Sequence, residues 1–270
     1  MVWKATKASG KSPFPASGHS ITARDKQVYV FAGNTNKTTH ANLFILNTGG
    51  LKTWTDGATR GQGPTERQDH SSTIIQNNNK DHLFIFGGKD KTHNYNEVFL
   101  LNADTLAWSR PRCTGTTPLP RSAHSAVPLG PNKILLFGGK YLSRPLNDLY
   151  LFVNERTKND WSIIKTQGTP PSPRFSHAAA MWKHYMVVFG GSDGKNIYSD
   201  VHLLDTNTWT WTQPQVNGWI APRTAFGAAI AENKLYVFGG QSAHGALNDL
   251  HYLDLGELTL SPQRQRQRFA

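Results

Sequence analysis

Cysteine is almost absent from this 270-residue chain, where Cys113 stands alone. One thiol excludes an intrachain disulfide and suits a reducing compartment, so the cytosol, or the nucleus, is the expected location. The Asn36-Lys37-Thr38 sequon then reads as chance rather than as a glycosylation site. Long apolar runs are missing too. None approaches the roughly 18 residues of a membrane helix, and the opening MVWKATKASGKSPFP has no apolar core of the kind a secretory signal carries. No membrane partner is expected. Charge is sparse at 17%, while Gly numbers 24 and Pro 15, which disfavours long helices and favours strands joined by turns. Disorder is excluded by 8 Trp, 8 Tyr and 13 Phe. Acids are the scarcer sign: 18 against 29 Lys and Arg, a net charge of +11 that favours acidic partners.

What the chain does have is internal repetition. An aromatic followed by two small residues recurs as Phe31-Ala32-Gly33, Phe86-Gly87-Gly88, Phe137-Gly138-Gly139, Phe189-Gly190-Gly191 and Phe238-Gly239-Gly240. The steps between these Phe positions are 55, 51, 52 and 49 residues. Each triplet ends a short apolar run (VYVF, LFIF, ILLF, MVVF, LYVF) that reads as a buried strand. A second apolar strand follows each triplet, and a Trp then stands at 54, 108, 161 and 211. Before each repeat a Pro/Arg segment leads to His: Arg67 to His70, Arg121 to His124, Arg174 to His177. The first copy has Ala16 before His19, and the fifth has Arg223 before Phe226.

Each unit of about fifty residues thus holds four short strands, and a ring of such sheets lets neighbours cover both faces of each. On these motifs the chain resembles the Kelch-repeat family over essentially its whole length. That resemblance implies an all-β fold, a β-propeller of four-stranded Kelch blades, with five blades expected. Trp3 lies 13 residues before Ala16, as Trp54 does before Arg67, so the N-terminal strand around Trp3 is expected to complete blade five and close the ring. The alternative is that 257–261 forms that outer strand, since Leu258-Thr259-Leu260-Ser261 aligns with Trp209-Thr210-Trp211-Thr212. The domain spans 1–256, and 257–270 is a basic, flexible tail.

The glycine pairs read as backbone devices, not phosphate cradles, because no helix pattern follows them. His19, His70, His124 and His177, one per blade, read as hydrogen-bonded structural residues rather than metal ligands, and no cofactor is expected. The strand-opening Asn96-Glu97, Asn147-Asp148, Ser199-Asp200 and Asn248-Asp249 read as acceptors for turn amides. Cys113, close to Arg110 and Arg112, has cations that would lower its pKa, but no paired base to make it a nucleophile.

In a propeller of this family the loop entering the first strand and the loop between the second and third share a face. That face collects seventeen cations against nine acids, while the opposite loops hold nine cations and seven acids. The expected partner-binding set on it is Arg67, Arg121, Arg174 and Arg223, with Lys89, Lys91, His93, Tyr95, Tyr141, Arg144, Tyr198 and His244. Arginine forks match carboxylates, and aromatics add contact area at little entropic cost. Trp219, in a connecting loop, is a further contact candidate.

The expected function is a non-enzymatic protein-interaction module, possible as one subunit of a larger assembly. Its basic loop face would bind an acidic segment or a C-terminal carboxylate. One alternative is a substrate receptor of a ubiquitin ligase, although no BTB or F-box segment is present in these residues. A metal-dependent enzyme on the same scaffold is the other; it lacks the acid-x3-Asp-x3-His spacing of the iron-binding specifier proteins. Nucleic acid would be held only weakly and in a salt-sensitive way, since no base-reading motif is present.

Overall fold

The computed structural model describes residues 7–257 except 36 and 78. Four repeats form complete four-stranded antiparallel meanders, each running outward from an innermost strand. Blade one is Ser20–Arg24, Gln27–Asn34, Thr39–Asn47 and Thr53–Asp56. Blade two is Ser71–Asn77, Lys80–Phe86, Val98–Asn102 and Trp108–Ser109. Blade three is Ser125–Pro128, Lys133–Phe137, Leu149–Asn154 and Asn159–Ile163. Blade four is Ala178–Trp182, Tyr185–Phe189, Val201–Asp205 and Thr210–Thr212. Blade five shows three strands among the described residues: Gly227–Ala231, Lys234–Ser242 and Gly245–Asp254. Trp3 and Leu258–Ser261, the two candidates for its fourth strand, lie outside the described residues.

The connecting segments add a feature that the repeat pattern does not reveal. After leaving one blade, the chain runs parallel along the outermost strand of the next. Cys113–Gly115 pairs with Asn159–Trp161, and Gln167–Gly168 with Thr210–Trp211. Ser9–Gly10 lies in the same way on Thr53–Trp54 of blade one.

Apolar strands of the middle blades bury both faces, so alternate residues serve alternate neighbours. Phe84, Phe86, Val98 and Leu100 of blade two pack against Ile134, Leu136, Phe152 and Trp161 of blade three, while Leu83, Ile85, Phe99 and Leu101 face blade one. The wedge between blades is filled by the recurring Trp. Its ring lies against the Phe of the preceding blade's glycine motif, at 5.3 Å for Trp108 on Phe31, 5.0 Å for Trp161 on Phe86 and 5.2 Å for Trp211 on Phe137. Burying each such ring contributes about 1.5–3 kcal/mol.

Near the axis the blades are stitched by their backbones. The second glycine of each motif donates to the carbonyl of the next blade's arginine: Gly33 to Arg67, Gly88 to Arg121, Gly139 to Arg174 and Gly191 to Arg223, each at 2.9 Å. The motif needs glycine for this approach. A Cβ on Gly87 would lie 2.7 Å from the Arg121 carbonyl oxygen, and one on Gly88 2.8 Å from His70 Cβ, at φ of 64° and 90°.

Candidate functional site

The Pro/Arg segments open the innermost strands, and the local backbone fixes their direction. The arginine amide of each blade donates to the loop of the preceding one: Arg67 to His40, Arg121 to Tyr95, Arg174 to Leu146 and Arg223 to Tyr198. Entry segments and second-to-third-strand loops therefore do share a face. The arginine side chains do not project from it. Arg67, Arg121, Arg174 and Arg223 are each 0% exposed.

The expectation that these four bind a partner is corrected by that burial. Arg121 donates to both oxygens of Asp148 at 2.6 and 2.8 Å, to the Gly138 carbonyl at 2.9 Å and to the Leu119 carbonyl at 3.1 Å. Arg174 with Asp200 and Arg223 with Asp249 repeat the arrangement, while Arg67 reaches Glu97 through one oxygen at 3.2 Å and Arg110 takes the other at 3.0 Å. The strand-opening acids are thus partners of buried guanidinium groups rather than acceptors for turn amides. Burial opposes ionisation of Asp200, yet hydrogen bonds from Arg174 and His202 hold its carboxyl well below the usual carboxylate range. The Arg223 hydrogen bond does the same for Asp249. Desolvation lowers the pKa of Arg67. Blade one has neither member, with Ala16 in the arginine position and Asn42 in the acid position. The pair is kept or lost as a unit, as the cost of an uncompensated buried charge requires.

The tyrosines of the expected set are also engaged inward. Tyr95 donates its hydroxyl to Asp90 at 2.6 Å and lies under the Arg67 guanidinium at 4.3 Å; Tyr198 does likewise with Asp193 at 2.7 Å and Arg174 at 4.4 Å. Lys89 is half-buried, 3.7 Å from Asp69. Lys91, His93, Arg144 and His244 are exposed, and Tyr141 is half-buried. Lys140, which the set omitted, sits 4.4 Å over the Phe175 ring; burial first, and then the charge of Lys89, lower its pKa. Leu142 and Trp219 are exposed apolar residues on the same loops, at 64% and 81%.

Three of the four histidines are structural, as the spacing suggested. His70, His124 and His177 are buried, and each places Nε2 against a serine hydroxyl of the preceding blade: Ser20 at 2.7 Å, Ser71 at 2.8 Å and Ser125 at 2.9 Å. Burial drives His70 and His177 down to about 3 and His124 well below its ordinary value. His19 differs: it is exposed, with Nδ1 3.1 Å from the Ala16 carbonyl oxygen.

Comparison with known proteins settles what this architecture is. The KLHDC2/KLHL20/DRC7 Kelch-repeats domain model matches residues 1–139 and 130–268. The chain belongs to the Kelch-repeat family. Among curated relatives, it is 32% identical over 229 residues to Acyl-CoA-binding domain-containing protein 4 of Arabidopsis thaliana, covering 80% of this chain and 33% of that protein. It is 30% identical over 208 residues to the Rab9 effector protein with kelch motifs of Bos taurus, covering 74% of this chain and 55% of that one. The chain therefore spans about a third and about half of these relatives. Kelch propellers are generally protein-binding modules, and among the described residues no helix is long and apolar enough to cross a membrane.

One further feature of this Kelch propeller differs from expectation. Burial pushes the half-buried Cys113 thiol up to about 11, and Arg110 only partly offsets it, so the cationic neighbours do not activate it. Trp219 borders a cavity of about 220 Å³ on the seam between blades four and five, with Phe189, Val237 and Tyr252. At the other seams the equivalent Phe meets an outer-strand Trp.

Proposed function

We propose that this Kelch propeller is a non-enzymatic binding module whose loop face takes an acidic segment, or a C-terminal carboxylate, of a protein partner. The observation that carries this reading is a set of cations left over once the internal pairs are formed. Among the described residues, Lys91, Arg112, Arg144 and Lys195 are exposed and pair with no acid. The half-buried Lys140 has an aromatic ring but no carboxylate against it. An incoming carboxylate supplies the missing counter-charge, while the exposed Leu142, two residues from Arg144, offers apolar area beside it. The arginines contribute indirectly, by fixing the loops that carry these side chains.

The test is titration of acidic peptides, with free and with amidated C-termini, against the protein and a Lys91→Glu/Arg144→Glu variant at two ionic strengths. Both substitutions lie on exposed side chains, so the fold is retained. Affinity is expected to fall at least tenfold in the variant and to weaken with salt in the unmodified protein. A larger loss on amidation than on removing internal acids assigns a terminal carboxylate. Equal binding by variant and unmodified protein refutes the reading.

A further inference from the structure

A glycine that follows Asn or Asp exposes the chain to one spontaneous reaction, because its nitrogen meets little steric hindrance on approaching the side-chain carbonyl carbon. Three such steps occur here: Asp56-Gly57, Asp193-Gly194 and Asn217-Gly218. No other asparagine precedes a glycine. The structure closes the first two. Gly57 donates its amide to the Leu43 carbonyl at 2.8 Å, and Asp56 pairs with Lys11 at 2.7 Å. Gly194 donates to the Ser192 hydroxyl at 2.9 Å. Asp193 accepts from the Asn196 amide, the Tyr198 hydroxyl and the Lys195 amide, which hold its carboxyl well below the usual carboxylate range. An ionised carboxylate is a poor target for a nucleophile, so Asp193 is protected twice over.

Asn217-Gly218 is open on every count. Both residues are exposed, in the connection that carries the chain from blade four to blade five. Among the described residues neither the Asn217 side chain nor the Gly218 amide has a hydrogen-bond partner, and no backbone hydrogen bond holds residues 216–219. A Cβ on Gly218 would meet nothing within 4 Å, so the nitrogen has room on all sides. The ends of the connection are fixed: Thr212 pairs with Leu203, and the Arg223 amide donates to the Tyr198 carbonyl at 3.0 Å. Rearrangement at 217–218 is therefore confined to the connection and leaves the blades in place.

We infer that Asn217 is a site of spontaneous covalent modification, converting to isoaspartate and aspartate in the folded protein. The Gly218 nitrogen gives its proton to solvent base and attacks Asn217 Cγ. The N–Cγ bond forms, the Cγ–Nδ2 bond breaks, and Nδ2 takes up a proton and leaves as ammonia. Water then opens the five-membered imide at either carbonyl, giving aspartate or, with one more main-chain carbon, isoaspartate. No oxidant or cofactor is consumed. Net charge falls by one, from +11 to +10. The new carboxylate lies at the cavity of about 220 Å³ that Asn217 lines with Trp219 and Tyr252. The isoaspartate form also re-aims the main chain two residues before Trp219, which is 81% exposed. A neutral connection thus becomes anionic with time, and what Trp219 presents to a partner changes with it.

The test is peptide mapping by mass spectrometry of the 270-residue chain, held folded at neutral and at mildly alkaline pH, with the isoaspartate and aspartate products separated chromatographically. Asn217 is expected to exchange amide for acid roughly tenfold faster than any other asparagine, because it alone precedes glycine. The rate is expected to rise with pH, and isoaspartate to be among the products. Unfolding in guanidinium is expected to change the rate at Asn217 by less than about threefold, since the fold does not restrain this step. In an Asn217→Gln chain, whose side chain would have to close a six-membered ring, conversion at this position is expected to be lost with the melting temperature unchanged. Conversion at Asn217 no faster than at other asparagines, or conversion only after unfolding, overturns the inference. So does a product that is wholly aspartate, because water has then hydrolysed the amide directly and Gly218 takes no part.

Discussion

Replacing Arg121 by Ala removes a guanidinium that is 0% exposed and makes four short hydrogen bonds, two of them to Asp148. Breaking a buried ion pair from one side costs roughly 3–5 kcal/mol, because the remaining charge is left without compensation. Asp148 keeps 24% of its side chain exposed, so water relieves part of that penalty and the lower end, about 3 kcal/mol, is expected. The Gly138 and Leu119 carbonyls also lose their donor. Blade one shows how the chain tolerates the loss, with Ala16 facing Asn42. Arg121→Ala combined with Asp148→Asn should therefore cost about 2 kcal/mol less than the two single changes added together, since no orphaned charge remains. Urea unfolding of the four proteins measures this coupling. Additivity within about 0.5 kcal/mol would refute the idea that the pair is kept or lost as a unit.

The buried histidines make stability depend on pH in a defined direction. Their folded pKa values lie below the unfolded value of 6.5, so the stability present above pH 6.5 is lost as pH falls toward 3, at about 2 kcal/mol per histidine between pH 7.5 and 5. Urea midpoints at the two pH values should show this, and His177→Phe with Ser125→Ala, copying Phe226 and Ala178, should flatten the dependence by one histidine; an unchanged slope contradicts the assignment. With its thiol pushed up to about 11, Cys113 should react with iodoacetamide about a hundredfold more slowly at pH 7.5 than after unfolding. Comparable rates in the two states would show that burial does not protect it. Gly139→Ala should cost more than 3 kcal/mol by thermal denaturation, since its φ is 90° and a Cβ would meet His124 Cβ at 2.6 Å; a change below 1 kcal/mol would mean the stitching backbone can shift.

The blades were legible because glycine pairs, apolar runs and Trp each answer a local demand at a fixed place in the repeat. The arginines were misread for a physical reason: a loop position suggests hydration, and the acid that removes it lies 26 to 30 residues further on. The signal was in the chain, in the joint absence of both partners at Ala16 and Asn42. The buried histidine–serine contacts were legible in the same way, since Ser follows His at 19, 70 and 124 while Ala178 precedes the blade with Phe226. What no single repeat reveals is which faces stay uncovered, because that depends on neighbours. Lys140 was passed over because its ring partner, Phe175, belongs to the next blade.

The glycine-to-arginine stitching has a mechanical consequence. Each blade completes its neighbour's backbone bonding, so a blade with one neighbour is held on one side and a blade with two is held on both. Under tension applied at the termini, the chain should yield from its ends inward in discrete steps. Each step releases about fifty residues, roughly 170 Å of contour length, and the middle blades let go last. A force trace would thus count the blades one by one.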